Sequence, residues 1–209
     1  MKKTALILVL FALALPNSYA QSIISKKMNM SNKFEIATLA NGCFWCTEAV
    51  FQRLKGVEKV TSGYTGGTLK NPTYSEVTSG NTGHAEALQI YFDPNVISYQ
   101  EILEVFFSTH DPTSLNKQGY DVGTQYRSAI FYHSKEQKET AEKFIITLTE
   151  AKVFGKPIVT EITKFDTFYE AEEYHQNYYN NNKTQGYCVA VINPKLEKFI
   201  KKYKNKLKE

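Results

Sequence analysis

Apolar positions along the chain recur with two periods, and the switches between them predict the elements. Residues 34–40 alternate well enough for a buried strand, which runs into the breakers Asn41-Gly42; a helical pattern follows over residues 44–54. Cys43 therefore falls at a strand-to-helix junction. Gly56 stops that helix, residues 57–64 read as a strand, and Gly63, Gly66 and Gly67 with Thr65 make a loop. Residues 85–92 form another strand candidate, ended by Asp93-Pro94. Ser98 with Glu101 makes a capping box before a helix over residues 99–109. A strand resumes over residues 127–132, and Ser134 with Gln137 caps a helix to about Val153, ended by Gly155 and Pro157. Residues 158–164 read as a strand, and Thr167 with Glu170 is expected to cap a further helix. Strands and helices alternate, so the fold is mixed.

Two stretches lack either period. Residues 110–125 are polar and long for a connection, which in a compact domain marks a working loop. Residues 179–188, Asn-rich and full of turn formers, are expected to be mobile. At the end, residues 195–209 carry seven Lys against two Glu. Leu196, Phe199, Ile200, Tyr203 and Leu207 in that segment follow helical spacing. This reads as a terminal helix packing one stripe and solvating the other, and nucleic acid or a membrane is not called for.

The start of the chain bears on compartment. Lys2 and Lys3 precede an apolar run over residues 5–15, closed by Pro16 and a small-residue site at Ser18-Tyr19-Ala20, the pattern of a secretory signal. The run is roughly half the ~20 apolar residues a membrane span needs. With no Cys at the site for lipid attachment, the expectation is a soluble, monomeric, exported chain, periplasmic or secreted, without a stable membrane anchor. Residues 1–20 are then a signal peptide, 21–33 a loose leader and 34–209 a single domain, long enough to bury one core.

Three cysteines in an exported chain leave one thiol over or require exchange among them. Cys43 and Cys46 open a helix three residues apart, on one face and near enough for a disulfide. Unpaired amides at the helix start are expected to favour a Cys43 thiolate, drawing its pKa from about 8.5 toward neutrality, with Gly42 leaving the approach open. A C-x-x-C alone fits thioredoxin-like enzymes, structural disulfides or half a zinc site, and without a second pair no metal is expected. Phe44 and the single Trp, Trp45, are ordinary core aromatics in most settings. Beside a thiol they would form a flat apolar wall suited to a methyl-sulfur group.

Gly42-Cys43-Phe44-Trp45, Ser62-Gly63-Tyr64-Thr65-Gly66-Gly67, Asn71-Pro72-Thr73-Tyr74, Gly83-His84-Ala85-Glu86, His110-Asp111-Pro112-Thr113, Asp121-Val122-Gly123-Thr124-Gln125-Tyr126-Arg127-Ser128 and Ala171-Glu172-Glu173-Tyr174-His175-Gln176 together resemble peptide methionine-S-sulfoxide reductase, the A class. The resemblance covers roughly residues 34–194. It implies an α+β fold, a two-layer sandwich related to the ferredoxin-like fold with a mixed sheet. It also implies a cofactor-free enzyme that acts on oxidised proteins or peptides carrying methionine sulfoxide and is recycled by a thioredoxin-like donor or another dithiol. By that resemblance Cys43 attacks the sulfoxide sulfur, Glu86 gives a proton to its oxygen, Tyr74 and Tyr126 hydrogen-bond that oxygen, Phe44 and Trp45 hold the methyl, and Asp121 organises the pocket. The chemistry agrees: a sulfoxide oxygen must be protonated or hydrogen-bonded before its sulfur yields to a thiolate, and apolar neighbours can keep a carboxyl protonated near neutral pH.

Turnover then needs a second thiol to condense with the Cys43 sulfenic acid. Cys46 stands close but must bend the first helical turn; Cys188 must swing in on its Asn-rich loop. Many relatives carry Gly at the position of Cys46 and use a distal cysteine, which Cys188 resembles. Cys46 is preferred slightly, and a relay from Cys43 to Cys46 to Cys188 would use all three. His84, His110 and His175 are read as satisfying local hydrogen bonds and His133 as lying at the surface. Two other classes stay open: a thiol-disulfide oxidoreductase using the Cys43/Cys46 pair, which would reduce insulin disulfides, and a binding module held by a Cys43-Cys46 bridge.

Overall fold

The computed structural model describes residues 33–209; the signal segment expected over 1–20 and nearly all of the leader lie outside them. Phe34–Glu209 forms one compact unit. In chain order its elements are β1 (Glu35–Asn41), α1 (Phe44–Phe51), β2 (Val57–Thr65), α2 (Tyr74–Thr78), β3 (Ala85–Phe92), α3 (Tyr99–Ser108), β4 (Lys117–Gln118), β5 (Asp121–Val122), β6 (Ser128–Tyr132), α4 (Lys135–Glu150), β7 (Glu161–Lys164), β8 (Phe168–Glu170), α5 (Tyr178–Asn181) and α6 (Asn193–Lys202). Six strands pair in the order β7-β6-β1-β3-β2-β8, antiparallel except for β6 with β7. The architecture is an α+β sandwich of a mixed sheet with packed helices.

Period-two alternation explains which face does what. Ala37 and Leu39 of β1, Leu88, Ile90 and Phe92 of β3 and Ile130 of β6 meet Phe51, Leu103 and Phe106 from the helices in the main core. The residues between them, Ala40, Ala85, Ala87, Ala129 and Phe131, line the opposite face under Phe165 and Phe168. Glu86 has the parity of Leu88, so β3 aims a carboxyl at the helical layer where α1 begins. Capping boxes fix the starts of α2, by Thr73 and Glu76, and α3, by Ser98 and Glu101.

Four expectations need correction. Thr167 and Glu170 cap no helix, because residues 168–170 are β8, paired antiparallel with β2. Gly63 makes that approach possible, since a Cβ there would lie 2.4 Å from the Tyr169 carbonyl oxygen, and a long-range ladder outweighs a local cap. The strand expected from residue 158 begins at Glu161. The Asn-rich run is not all loop: α5 occupies part of it, residues 183–186 are exposed, and Cys188, wholly buried, opens a π-helical turn (Cys188–Ile192). In the last helix Leu196, Phe199 and Tyr203 are buried, but Ile200 is 41 % exposed and stands off that stripe.

Candidate active site

β1 delivers the chain through Asn41-Gly42 to Cys43, the N-cap of α1. Gly42 sits at φ +95°, and a Cβ there would lie 2.7 Å from the Gln118 side chain of β4. Glycine is therefore required twice over, for backbone freedom and for the packing of the β4–β5 hairpin.

Glu86, 1 % exposed, stands opposite that helix start, and its Oε2 accepts the Phe44 N–H at 3.0 Å. The amide expected to hold a Cys43 thiolate thus holds a carboxyl. Burial raises Glu86 to about 8, against the opposing pull of the Phe44 N–H. Cys43, expected to fall toward neutrality, is instead pushed well up. Burial comes first, then its hydrogen bond with Cys46 and the negative charge of Glu86. Cys46, in the first turn of α1, moves down because it receives the Cys43 hydrogen bond, and the positive charge of Lys195 helps. Charge is therefore disfavoured on Cys43, by burial and by the Glu86 carboxyl, and favoured on Cys46, by the hydrogen bond from Cys43.

Tyr74 opens α2 and stacks on Phe44 with ring centroids 6.5 Å apart. Glu172 anchors it, accepting the Tyr74 N–H on Oε1 and the Tyr64 hydroxyl on Oε2, each at 2.8 Å. Burial and then the negative charge of Glu86 raise Tyr74 to about 12; Tyr126 rises from the same causes, and Cys43 contributes to both. Both phenols are thus protonated donors within the field of the same carboxyl and sulfur.

Phe44 is buried among Tyr64, Tyr74 and His175, whereas Trp45 is half-buried. The Trp45 Nε1–H donates to His175 Nδ1 at 3.0 Å, and Tyr178 lies flat on the indole at 3.7 Å, 7° from parallel. Beneath this stack Glu48 of α1, 1 % exposed, accepts the N–H groups of Asn177 at 2.8 Å and Tyr178 at 3.2 Å. Burial raises its carboxyl to about 7.

Asp121 of β5 accepts the Tyr187 hydroxyl at 2.8 Å, and that oxygen lies 3.7 Å from Cys46 Sγ. The next residue is Cys188, raised by burial and then by the charge of Cys46. All three thiols are free. Among the described residues no cluster of three His, Cys, Asp or Glu is placed to hold a metal ion.

The remaining histidines serve the fold. His84 accepts the Gly67 N–H and bonds the Leu69 carbonyl; His110 bonds the Phe106 carbonyl and Ser128 and is driven down to about 4 by burial. His133 is exposed, as expected; it bonds Thr38 at 2.8 Å and stacks on Phe165.

A reduced-state thiol pair, a neutral carboxyl and two phenols gathered at one helix start match a known family. The profile described as peptide methionine sulfoxide reductase matches residues 35–208. The chain belongs to this family. A peptide methionine sulfoxide reductase MsrA of Deinococcus radiodurans is 60 % identical over 174 residues, covering 83 % of this chain and 84 % of that protein. The reduced form of Mxr1 from Saccharomyces cerevisiae is similar in structure, at TM-score 0.71 and 36 % identity over 75 % of this chain and 90 % of that one. Mxr1 in complex with Trx2 also matches, at TM-score 0.51 and 29 % identity over 70 % and 86 % of the two chains.

In this methionine sulfoxide reductase the structure brings Cys43, Cys46, Phe44, Trp45, Tyr74, Glu86, Tyr126 and Asp121 to one place, with Cys188 buried behind. Sequence reasoning missed Tyr187, Glu48 and the Tyr64–Glu172 pair. Tyr187 is one of fourteen tyrosines, and only its place beside Cys188 could have singled it out.

Proposed function

We propose that the chain reduces methionine-S-sulfoxide, free or in oxidised proteins, to methionine. The observation that carries this is the buried Glu86 carboxyl, neutral at pH 7 and fixed on the Phe44 N–H beside Cys43. Glu86 gives its proton to the sulfoxide oxygen, and Tyr74 and Tyr126 donate hydrogen bonds to it. Cys43 attacks the sulfur while Cys46 takes the Cys43 proton. The oxygen passes to Cys43, which becomes a sulfenic acid; the substrate sulfur gains two electrons and leaves as a thioether. Phe44 and Trp45 supply the apolar wall for the methyl group, and Asp121 orders the far side of the pocket. No metal or organic cofactor is required for these steps.

Cys46 resolves the sulfenic acid first. It already contacts the Cys43 sulfur, and Cys43, as an N-cap at ψ 122°, is not locked in helical geometry. Cys188 then exchanges into the disulfide when its turn opens, and a thioredoxin-like dithiol restores the thiols; the complex of the yeast relative with Trx2 supports that donor class. The charged, then apolar, then small-residue order of the first twenty residues supports export, so the donor would work in an oxidising compartment.

The test is one turnover on peptide-bound S and R epimers, with the sulfenic acid trapped. Wild type should give one equivalent of methionine from the S epimer and Cys43→Ser none; equal reduction by Cys43→Ser, or reduction of insulin without any sulfoxide turnover, would refute the reading. Disulfide masses in Cys46→Ser and Cys188→Ser decide the order. A Cys46→Ser enzyme that recycles normally removes Cys46 from the path.

A further inference from the structure

Once the oxygen has reached Cys43, the Cys43 S–H whose hydrogen bond draws Cys46 down is gone, and the proton taken by Cys46 becomes an obstacle, because a thiol is a far weaker nucleophile than its thiolate. We propose that Tyr187 and Asp121 form the relay that removes it. The inference rests on the reading that Cys46 is the resolving thiol. Tyr187 has one hydroxyl hydrogen and two lone pairs. Its hydrogen points to Asp121 Oδ2 at 2.8 Å, and its oxygen, 3.7 Å from Cys46 Sγ and also in hydrogen-bond contact with Cys43, keeps a lone pair to accept the Cys46 S–H. The phenol is half-buried, and an edge contact with Trp45 at 5.8 Å holds the ring. Burial followed by the charges of both sulfurs makes an ionised Tyr187 unfavourable, which fits a concerted transfer through a phenol that stays neutral throughout.

The step balances. The Cys46 proton passes to the Tyr187 oxygen as the Tyr187 proton passes to Asp121. The Cys46 sulfur then forms the S–S bond while the S–O bond of the Cys43 sulfenic acid breaks. The departing hydroxyl recovers the stored proton and leaves as water. No outside oxidant or reductant enters. Because Tyr187 and Cys188 are consecutive, the relay is in place only while Cys188 stays seated in its buried turn. The chain thereby couples fast closure at Cys46 to a docked Cys188 and sets the order of the two disulfides.

The test uses Cys188→Ser, in which only Cys46 can resolve, with one equivalent of a methionine-S-sulfoxide peptide. Methionine release and disulfide closure are followed separately by quench and mass. Adding Tyr187→Phe or Asp121→Asn should slow closure about a hundredfold at pH 7, and more than it slows methionine release. In both variants closure should climb about tenfold per pH unit toward the ionisation of the thiol itself, where the parent is flat. Closure at the parent rate, or a slower closure whose pH profile is unchanged, overturns the relay; the second outcome marks a merely structural role. If Cys188→Ser itself forms no disulfide, the assignment of Cys46 as resolver fails and takes the relay with it. Unfolding midpoints of the variants within a few tenths of a molar of urea of the parent keep the comparison valid.

Discussion

Glu86→Gln separates what the buried carboxyl does for chemistry from what it costs the fold. The gap between about 8 and the ordinary 4.5, at ~1.4 kcal/mol per pH unit, sets an upper figure of about 5 kcal/mol for ionising Glu86 in place. The sign follows from proton counting. Between those two pH values the folded protein holds a proton that the unfolded chain has lost, so stability present below about 4.5 drains away as pH rises toward about 8. Glutamine cannot ionise, yet its amide oxygen can still accept the Phe44 N–H. Urea unfolding of wild type and Glu86→Gln at pH 5 and pH 8.5, read by Trp45 fluorescence, should therefore show near equality in acid. In base the variant should be more stable by on the order of 3 kcal/mol, after some relaxation of the site. Contributions from groups outside the field of Glu86, Glu48 among them, cancel in the difference, while Cys43, which the Glu86 charge raises, adds to it in base. In single turnover the same variant should be slower by about a hundredfold or more. A stability difference that stays constant across this range would show that Glu86 is ionised in the fold at neutral pH and cannot be the acid.

Other outcomes follow from the same geometry. The single-turnover rate of wild type should be bell-shaped, rising as the thiol pair takes its charge near 7 and falling as Glu86 loses its proton near 8; Glu86→Gln should lose the falling limb. Gly42→Ala should cost about 1–3 kcal/mol from positive φ on top of the 2.7 Å clash with the Cβ and Cγ of Gln118; in a Gln118→Gly background the cost should fall only by the part due to that clash, measured by urea midpoints. Glu48→Leu leaves the Asn177 and Tyr178 N–H groups without their acceptor, at about 1–3 kcal/mol each; release of the Tyr178 ring should change Trp45 fluorescence and raise KM more than it lowers kcat.

Elements set by local rules were legible in the sequence. The alternation before Asn41-Gly42, the Ser98/Glu101 box and residues 85–92 needed only period and capping, and β3 spans those very residues. Where a distant partner decides, local reading fails. Thr167 and Glu170 have the spacing of a cap, but Gly63 opens the edge of β2 to them and the ladder prevails. Residues 179–188 have the composition of a loose loop, yet Glu48, 129 positions from Asn177 along the chain, holds the N–H groups at its entry. The thiol expectation failed for the same reason. The helix start was counted as a source of free amides, and Glu86, reaching across from β3, occupies the one at Phe44.

The burial of the sulfurs bears on survival among oxidants. Cys43 is 9 % exposed, Cys46 3 % and Cys188 not at all, and the sulfur that attacks substrate rests as a neutral thiol. Peroxides react with thiolates and scarcely with shielded thiols. On the proposed mechanism the attacking sulfur gives up its proton only as a sulfoxide fills the pocket, so burial shields from peroxide the one thiol whose loss would end turnover.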